Sequence, residues 1–208
     1  ARQIKHRATI GGNLCNASPI GDLPPVLLAL DAQLLIASLR GERRVFANDF
    51  FESYRKTALL PDEVLVGIEF KLPSGSVREG AYKVSRRREL DISVVAAAFV
   101  VELDDAGVII RARLAYGGVA ATPVRAVHTE NYLMGHQWSE ETFRAALKSL
   151  RGEFKPLSDH RGSEWFRVEL VCNLFLGFYH EANQGCVNGF ELEHSATLRL
   201  GGGLVCEK

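Results

Sequence analysis

The chain has 208 residues, 47% hydrophobic and 24% charged, enough for one domain of generous size or two small ones with a real core. Its 25 Lys and Arg balance 25 Asp and Glu, so neither a nucleic-acid-binding face nor an anionic-membrane patch is indicated. The longest apolar run, Val94 to Val101, is too short to span a bilayer, and the 4 cysteines form no Cys-x-x-Cys pair, which argues against an iron–sulfur or structural zinc site.

A reduced, cytoplasmic setting fits this cysteine usage best. No signal peptide is read at the start. The only methionine is Met134, so the chain is expected to be an inner part of a longer polypeptide or a trimmed product.

Thr9 to Pro25 holds glycines, prolines and short polar side chains in close succession and reads as neither helix nor strand. Gly11-Gly12 lets the backbone turn tightly or lie against a ligand. Asn13, Asn16 and Ser18 supply donors and acceptors, and Asp22 adds a charged acceptor. Pro24-Pro25 then leads into a short helix over Val26 to Asp31. Ala32 to Ser38 and Arg43 to Ala47 read as a hairpin, and Asn48 to Phe51 as a capped turn placing two aromatics in the core.

Val64 to Lys71 alternates strictly, with Val64, Val66, Ile68 and Phe70 on one face. Leu72 to Ser76 is the best subdomain boundary. Beyond it, Gly80 to Arg87, Ile92 to Leu103 and Val108 to Tyr116 read as an antiparallel meander, the middle strand buried on both faces. In the third strand Val108, Ile110, Ala112, Leu114 and Tyr116 are expected to share a face. Helices follow over Thr122 to Met134, from the Ser139 cap to Gly152, and from Ser163 to Ala182, which carries Cys172 on its apolar side. Strands followed by helices indicate an α+β fold. Gln184 to Lys208 reads as a tail with at most weak strands.

Gly11-Gly12-Asn13 alone fits an ordinary tight turn, whereas its long polar surroundings suit sugar hydroxyls or a pyrophosphate. Neither a Gly-x-Gly-x-x-Gly turn nor a phosphate-binding Gly-x-x-x-x-Gly-Lys loop is present. Arg86 to Asp91 is either a solvated strand end or an anion contact. Lys83, inside a strand of mostly small residues, is either at the surface or aimed into a ligand cleft. The histidines have no metal spacing, and no hydrolase elbow exists. No catalytic or metal-ligating side chain is therefore assigned, and the hard chemistry of an enzyme built this way would belong to a cofactor.

Gln3 to Asn13 followed by Ala17-Ser18-Pro19-Ile20-Gly21-Asp22 resembles the second FAD-binding segment of xanthine dehydrogenases, in the molybdenum hydroxylase family. Tyr54-Arg55-Lys56-Thr57, Lys83-Val84-Ser85-Arg86-Arg87 and Leu114-Ala115-Tyr116-Gly117-Gly118 agree in the same order. The resemblance covers Arg2 to Asn183. It implies that residues 1–75 end a vanillyl-alcohol-oxidase-type FAD-binding domain. Residues 80–183 would then be a small C-terminal domain, a three-stranded antiparallel sheet packed with helices, with 184–208 a tail of unknown role.

The resemblance also implies a function. Electrons from a purine would pass a molybdopterin site and [2Fe–2S] clusters, all outside this chain, and reach FAD and then NAD. The implied partners are a molybdenum-binding subunit and the remainder of the FAD and iron–sulfur subunit. The implied FAD contacts are Thr9, Gly12, Asn13, Asn16, Asp22, Leu65 and Lys83, with Asp22 accepting from a cofactor hydroxyl and Leu65 packing on a ring.

The chain departs from the family at Lys5-His6 and at Leu90-Asp91, where a second acid is missing beside the expected flavin edge. The family's first FAD segment, a glycine-rich phosphate loop, is not in this sequence. Carbon monoxide dehydrogenase and aryl-CoA reductase relatives are the nearest competitors, and Gly12-Asn13 with Ala17-Ser18-Pro19 favours the xanthine branch. A different reading is a non-catalytic docking fragment that does not hold FAD alone.

Overall fold

A computed structural model describes residues 2–73, 75–87, 91–183 and 196–197. The elements in chain order are α1 (Arg2–Arg7), α2 (Ile10–Cys15), α3 (Leu23–Ala29), β1 (Gln33–Ser38), β2 (Gly41–Phe46), α4 (Ala47–Phe50), β3 (Phe51–Ser53), β4 (Lys56–Thr57) and β5 (Val64–Glu69). They continue with β6 (Ser76–Ser85), β7 (Ser93–Leu103), β8 (Ile109–Gly117), β9 (Val124–Arg125), α5 (Val127–Leu133), α6 (Glu140–Glu153), α7 (Glu164–Asn183) and β10 (Ala196–Thr197). The arrangement is α+β, as expected.

Three antiparallel strands, β6, β7 and β8, form the centre of the molecule, and the two-residue strands β10 and β9 extend its edges. β7 is buried along nearly its whole length because both of its faces are covered. On one face α5, α6 and α7 close an aromatic core of Phe99, Tyr116, Phe143, Phe175 and Phe178. Phe99 meets Tyr116 at 5.3 Å and Phe178 at 5.2 Å between ring centroids, within the range of favourable aromatic pairs.

The other face carries small side chains, Ala81, Ala98 and Ala115, and these join the core of the N-terminal half with Leu14, Leu28, Leu34, Ile36 and Phe50. Their size lets α3 lie close on β7 and β8. A second, three-stranded sheet has the order β2-β1-β5.

Several readings of the sequence need correction. Thr9 to Pro25 is not irregular throughout. Thr9 caps α2 by accepting from the Gly12 N–H at 3.0 Å, and Leu14 buries the inner side of that short helix. The capping bond and one buried leucine outweigh the helix-weakening glycines. α3 does carry Pro in its first turn. α4 has no side-chain cap from Asn48, although Phe50 and Phe51 are buried as expected.

Strict alternation fails in two strands for one reason. Leu35 pairs with Gly67 and Ile36 with Leu65, so Val66 is an extra, bulged residue and is exposed. Leu65 and Ile68 therefore both turn to the core, while Val64 and Phe70 face out. In β8 the bulged residue is Ile110, also exposed, and Ile109 takes the buried place. The helix expected over Thr122 to Met134 is split, since Val124 and Arg125 pair with β8 before α5 begins. Most of the tail, and Arg88 to Leu90, lie outside the described residues.

Candidate functional site

Asp22 stands at the N-terminal end of α3 but makes no capping bond to that helix. Its carboxylate turns instead to the central sheet. Oδ2 accepts from Lys83 Nζ at 2.7 Å, and Oδ1 accepts a short bond from the Ser93 hydroxyl. The Lys83 side chain is 15% exposed and that of Asp22 33%, so the ion pair sits at a half-open surface. Bonds of this charged kind contribute about 1.5–3 kcal/mol each.

Lys83 reaches Asp22 by strand alternation, since Ala81 and Lys83 share the face of β6 turned to the N-terminal half. Ser93 does so only because of a bulge. Val84 pairs with Val95 and Ser85 with Ser93, leaving Val94 as the extra residue of β7. Val94 and Val95 consequently both enter the aromatic core, and Ser93 is turned to the opposite face.

The remaining expected residues form a wall beside this cluster. Thr9, Gly12, Asn13 and Asn16 lie on α2 and its two caps. A Cβ on Gly11 would stand 3.9 Å from Leu65 Cδ2, which sets Leu65 alongside the same helix. Among the described residues Asn13 Oδ1 is buried without a partner, and a Cβ on Gly21 would meet it at 3.3 Å. The wall is thus continuous from Leu65 through Asn13 and Gly21 to Asp22.

The loop before α3 is fixed from behind. The Gly118 N–H donates to Pro19 O at 2.7 Å, and a Cβ on Gly117 would stand 3.2 Å from that same oxygen. A side chain at Gly117 would force that oxygen back by a few tenths of an ångström.

Ser93, Gly118 and Arg167 were given no role from the sequence. Gly118 belongs to a quoted motif, whereas a serine at a strand start and an arginine in an apolar helix carry no such signal. A cleft of about 300 Å³ lies at the other end of α3, with Asp31, Phe46, Asp49 and Arg125 among its walls. Asp31 is already engaged by arginines from β8 and β9, so that cleft is a seam between the two halves and not part of this wall. Among the described residues no cluster suits a metal ion, and no helix is long and apolar enough to cross a membrane.

A family model described as the FAD binding domain in molybdopterin dehydrogenase matches residues 1–73. Another, described as the CO dehydrogenase flavoprotein C-terminal domain, matches residues 80–182. The chain is 36% identical over 180 residues to a xanthine dehydrogenase/oxidase from Gallus gallus, covering 85% of this chain and 13% of that protein. It is 34% identical over 179 residues to a glyceraldehyde dehydrogenase medium chain from Sulfolobus acidocaldarius, covering 86% and 63%.

A solved carbon monoxide dehydrogenase chain from Hydrogenophaga pseudoflava superposes with a TM-score of 0.82 at 26% identity, over 90% of this chain and 64% of that one. The chain thus spans under two thirds of these relatives' own lengths. With matches along both halves, it belongs to the FAD-binding flavoprotein part of the molybdenum hydroxylase family, the family of the xanthine dehydrogenases.

Proposed function

We propose that Thr9, Gly12, Asn13, Asn16, Asp22, Leu65 and Lys83 form the side of an FAD site, in the electron-transfer part of a xanthine dehydrogenase-type oxidoreductase. The observation that carries this is the convergence of Asp22 and Lys83, 61 positions apart, beside a buried Asn13 Oδ1 that has no partner among the described residues. A buried amide oxygen left unpaired is costly unless a donor meets it, and a cofactor hydroxyl or ring N–H is such a donor.

Each residue then has a defined task. Asp22 accepts from a hydroxyl, and Lys83 and Ser93 hold its two oxygens in place. Asn13 accepts from a second donor, Gly12 keeps the backbone of α2 open to the cofactor, and Thr9 and Asn16 fix the two ends of that helix. Leu65 gives an apolar surface for a ring. Bound FAD would supply hydride and electron transfer chemistry, so no side chain of this chain need act as acid or base. The donor side would be iron–sulfur clusters and a molybdenum-binding partner, and the acceptor NAD, none of them within this chain. Among the described residues Cys15 and Cys172 are free thiols, which suits a reducing cytoplasm.

A second reading, the flavoprotein subunit of a carbon monoxide dehydrogenase, is favoured by the structural neighbours. Whichever enzyme it serves, the site is tested by Asp22→Ala in the complete flavoprotein, read by flavin absorbance and FAD titration. FAD affinity should fall about tenfold or more. Unchanged affinity would make Asp22 a turn residue and remove the site.

A further inference from the structure

We infer that Arg167, which bonds to none of the proposed cofactor contacts, is a positioning residue that sets the aim of Ser93 and thereby of Asp22. The inference rests on the flavin site proposed above and extends it to a helix that site does not include.

Arg167 lies in α7 and is 3% exposed. Its Nη1 donates to Val94 O at 2.5 Å and to Gly118 O at 2.9 Å, and its Nη2 donates to Asp159 Oδ1 at 2.7 Å. Val94 is the bulged residue of β7, and a bulge disrupts the ladder locally. The guanidinium gives the Val94 carbonyl a bond at that point. Arg167 therefore stabilises the local geometry that turns Ser93 out of the aromatic core and onto Asp22.

The second Arg167 contact acts on the same loop from its other side. Gly118 has φ +83, and a Cβ there would sit 2.4 Å from Val94 O and 3.2 Å from Arg167 Nη1. Gly118 in turn donates to Pro19 O. One guanidinium thus holds the carbonyls next to both points where the sheet grips Pro19 to Asp22. Arg167 touches none of the seven proposed cofactor residues. Its reach is through backbone, and its orientation is set by Asp159.

The obvious alternative is a core cation with no bearing on the site. The two differ in coupling. If Arg167 acts through the bulge, Ser93→Ala has nothing left to remove once the bulge has relaxed. If it only supports the core, the two losses add.

The experiment measures FAD affinity, the visible spectrum of bound flavin and amide hydrogen exchange in the complete flavoprotein. It compares wild type, Ser93→Ala, Arg167→Lys, Arg167→Gln and the Ser93→Ala/Arg167→Gln pair. Arg167→Gln and Ser93→Ala should each raise the FAD dissociation constant about tenfold. Together they should raise it no further than Arg167→Gln alone. The Gly118 amide should exchange faster in Arg167→Gln than in wild type, with or without FAD.

Arg167→Lys keeps the buried charge but cannot bridge two carbonyls and a carboxylate in the same planar fork. It should weaken FAD binding in the same way to a smaller degree, and it carries the test if Arg167→Gln fails to fold. Additive losses, an unchanged Gly118 exchange rate or an Arg167→Lys protein with wild-type FAD affinity and spectrum would each overturn the inference. Failure of wild type to bind FAD would instead strike the site reading, while the exchange result would still judge Arg167.

Discussion

Asp31→Asn is the sharpest test of how the two halves are held together. Asp31 follows α3 with φ +48, a left-handed conformation that Asp and Asn tolerate better than most residues. One oxygen accepts from Arg111 at 2.7 Å and Arg113 at 2.8 Å, the other from Arg125 at 2.8 Å. Removing the charge leaves these guanidiniums unequally placed. Arg111 keeps Glu102, and Arg125 keeps Glu130, whose side chain is 2% exposed. Among the described residues Arg113 keeps only the Ala112 carbonyl.

Breaking a fully buried pair costs about 3–5 kcal/mol. With Asp31 28% and Arg113 22% exposed, and two of the arginines retaining an acid, roughly half of that applies, about 2 kcal/mol. For a chain of this size that is a fall in Tm of about 4–8 °C. Asn keeps the backbone conformation, so the loss reports the charge. Asp31→Ala also removes the short polar side chain that eases the left-handed conformation, at a cost of roughly 1 kcal/mol more. Urea unfolding at low and moderate salt measures both variants. An Asp31→Asn protein within about 0.5 kcal/mol of wild type would refute the clamp and reduce it to a surface ion cluster.

The Tyr116 hydroxyl is buried and, among the described residues, has no partner, and burial raises its pKa well above the ordinary value. Tyr116→Phe is therefore expected to leave stability unchanged or raise it by up to about 1 kcal/mol in urea unfolding, and a clear loss would reveal a bond to that oxygen. Acid should unfold the protein through its clamped carboxylates. Burial acts to raise the Asp31 pKa, but the bonds from Arg111 and Arg113 prevail and lower it. Asp159 is likewise pushed up by burial yet held down to about 2 by Arg167 and two backbone N–H groups. Since both folded values lie below the unfolded one, their contribution is complete above about pH 4. It declines as pH falls from there toward about 2, and stability that stays flat across that window would contradict the assigned pairs.

The order of strands and helices was legible because the apolar periods are long, as in β7 and α7. The faces were less so. Val66 and Ile110 fit the alternation by residue type, yet each is the extra residue of a bulge, and a bulge is set by the partner strand's register. Composition made Thr9 to Pro25 a loop, because the leucine that holds α2, Leu14, acts through tertiary burial. Motif resemblance placed Asp22 and Lys83 at one cofactor, but their direct ion pair was not read from the sequence. Ser93 was invisible for the same reason as the misread faces, since only the bulge at Val94 sends it to Asp22.

These contacts give α3 a particular place in the molecule. It is too short to be stable alone, and its first turn is made of prolines that donate no hydrogen bond. It is held by the sheet at both ends, through Asp22 to Lys83 and Ser93, and through Asp31 to the arginines of β8 and β9. A helix of 7 residues joins the two attachments. The alanines beneath it leave no slack to absorb a shift of the sheet, because close-packed interiors transmit strain. The wall proposed for the cofactor is therefore not a property of the glycine-rich stretch by itself. It exists where that stretch is pressed against a sheet whose bulge at Val94 and glycine at Gly118 are held by Arg167 from the opposite face.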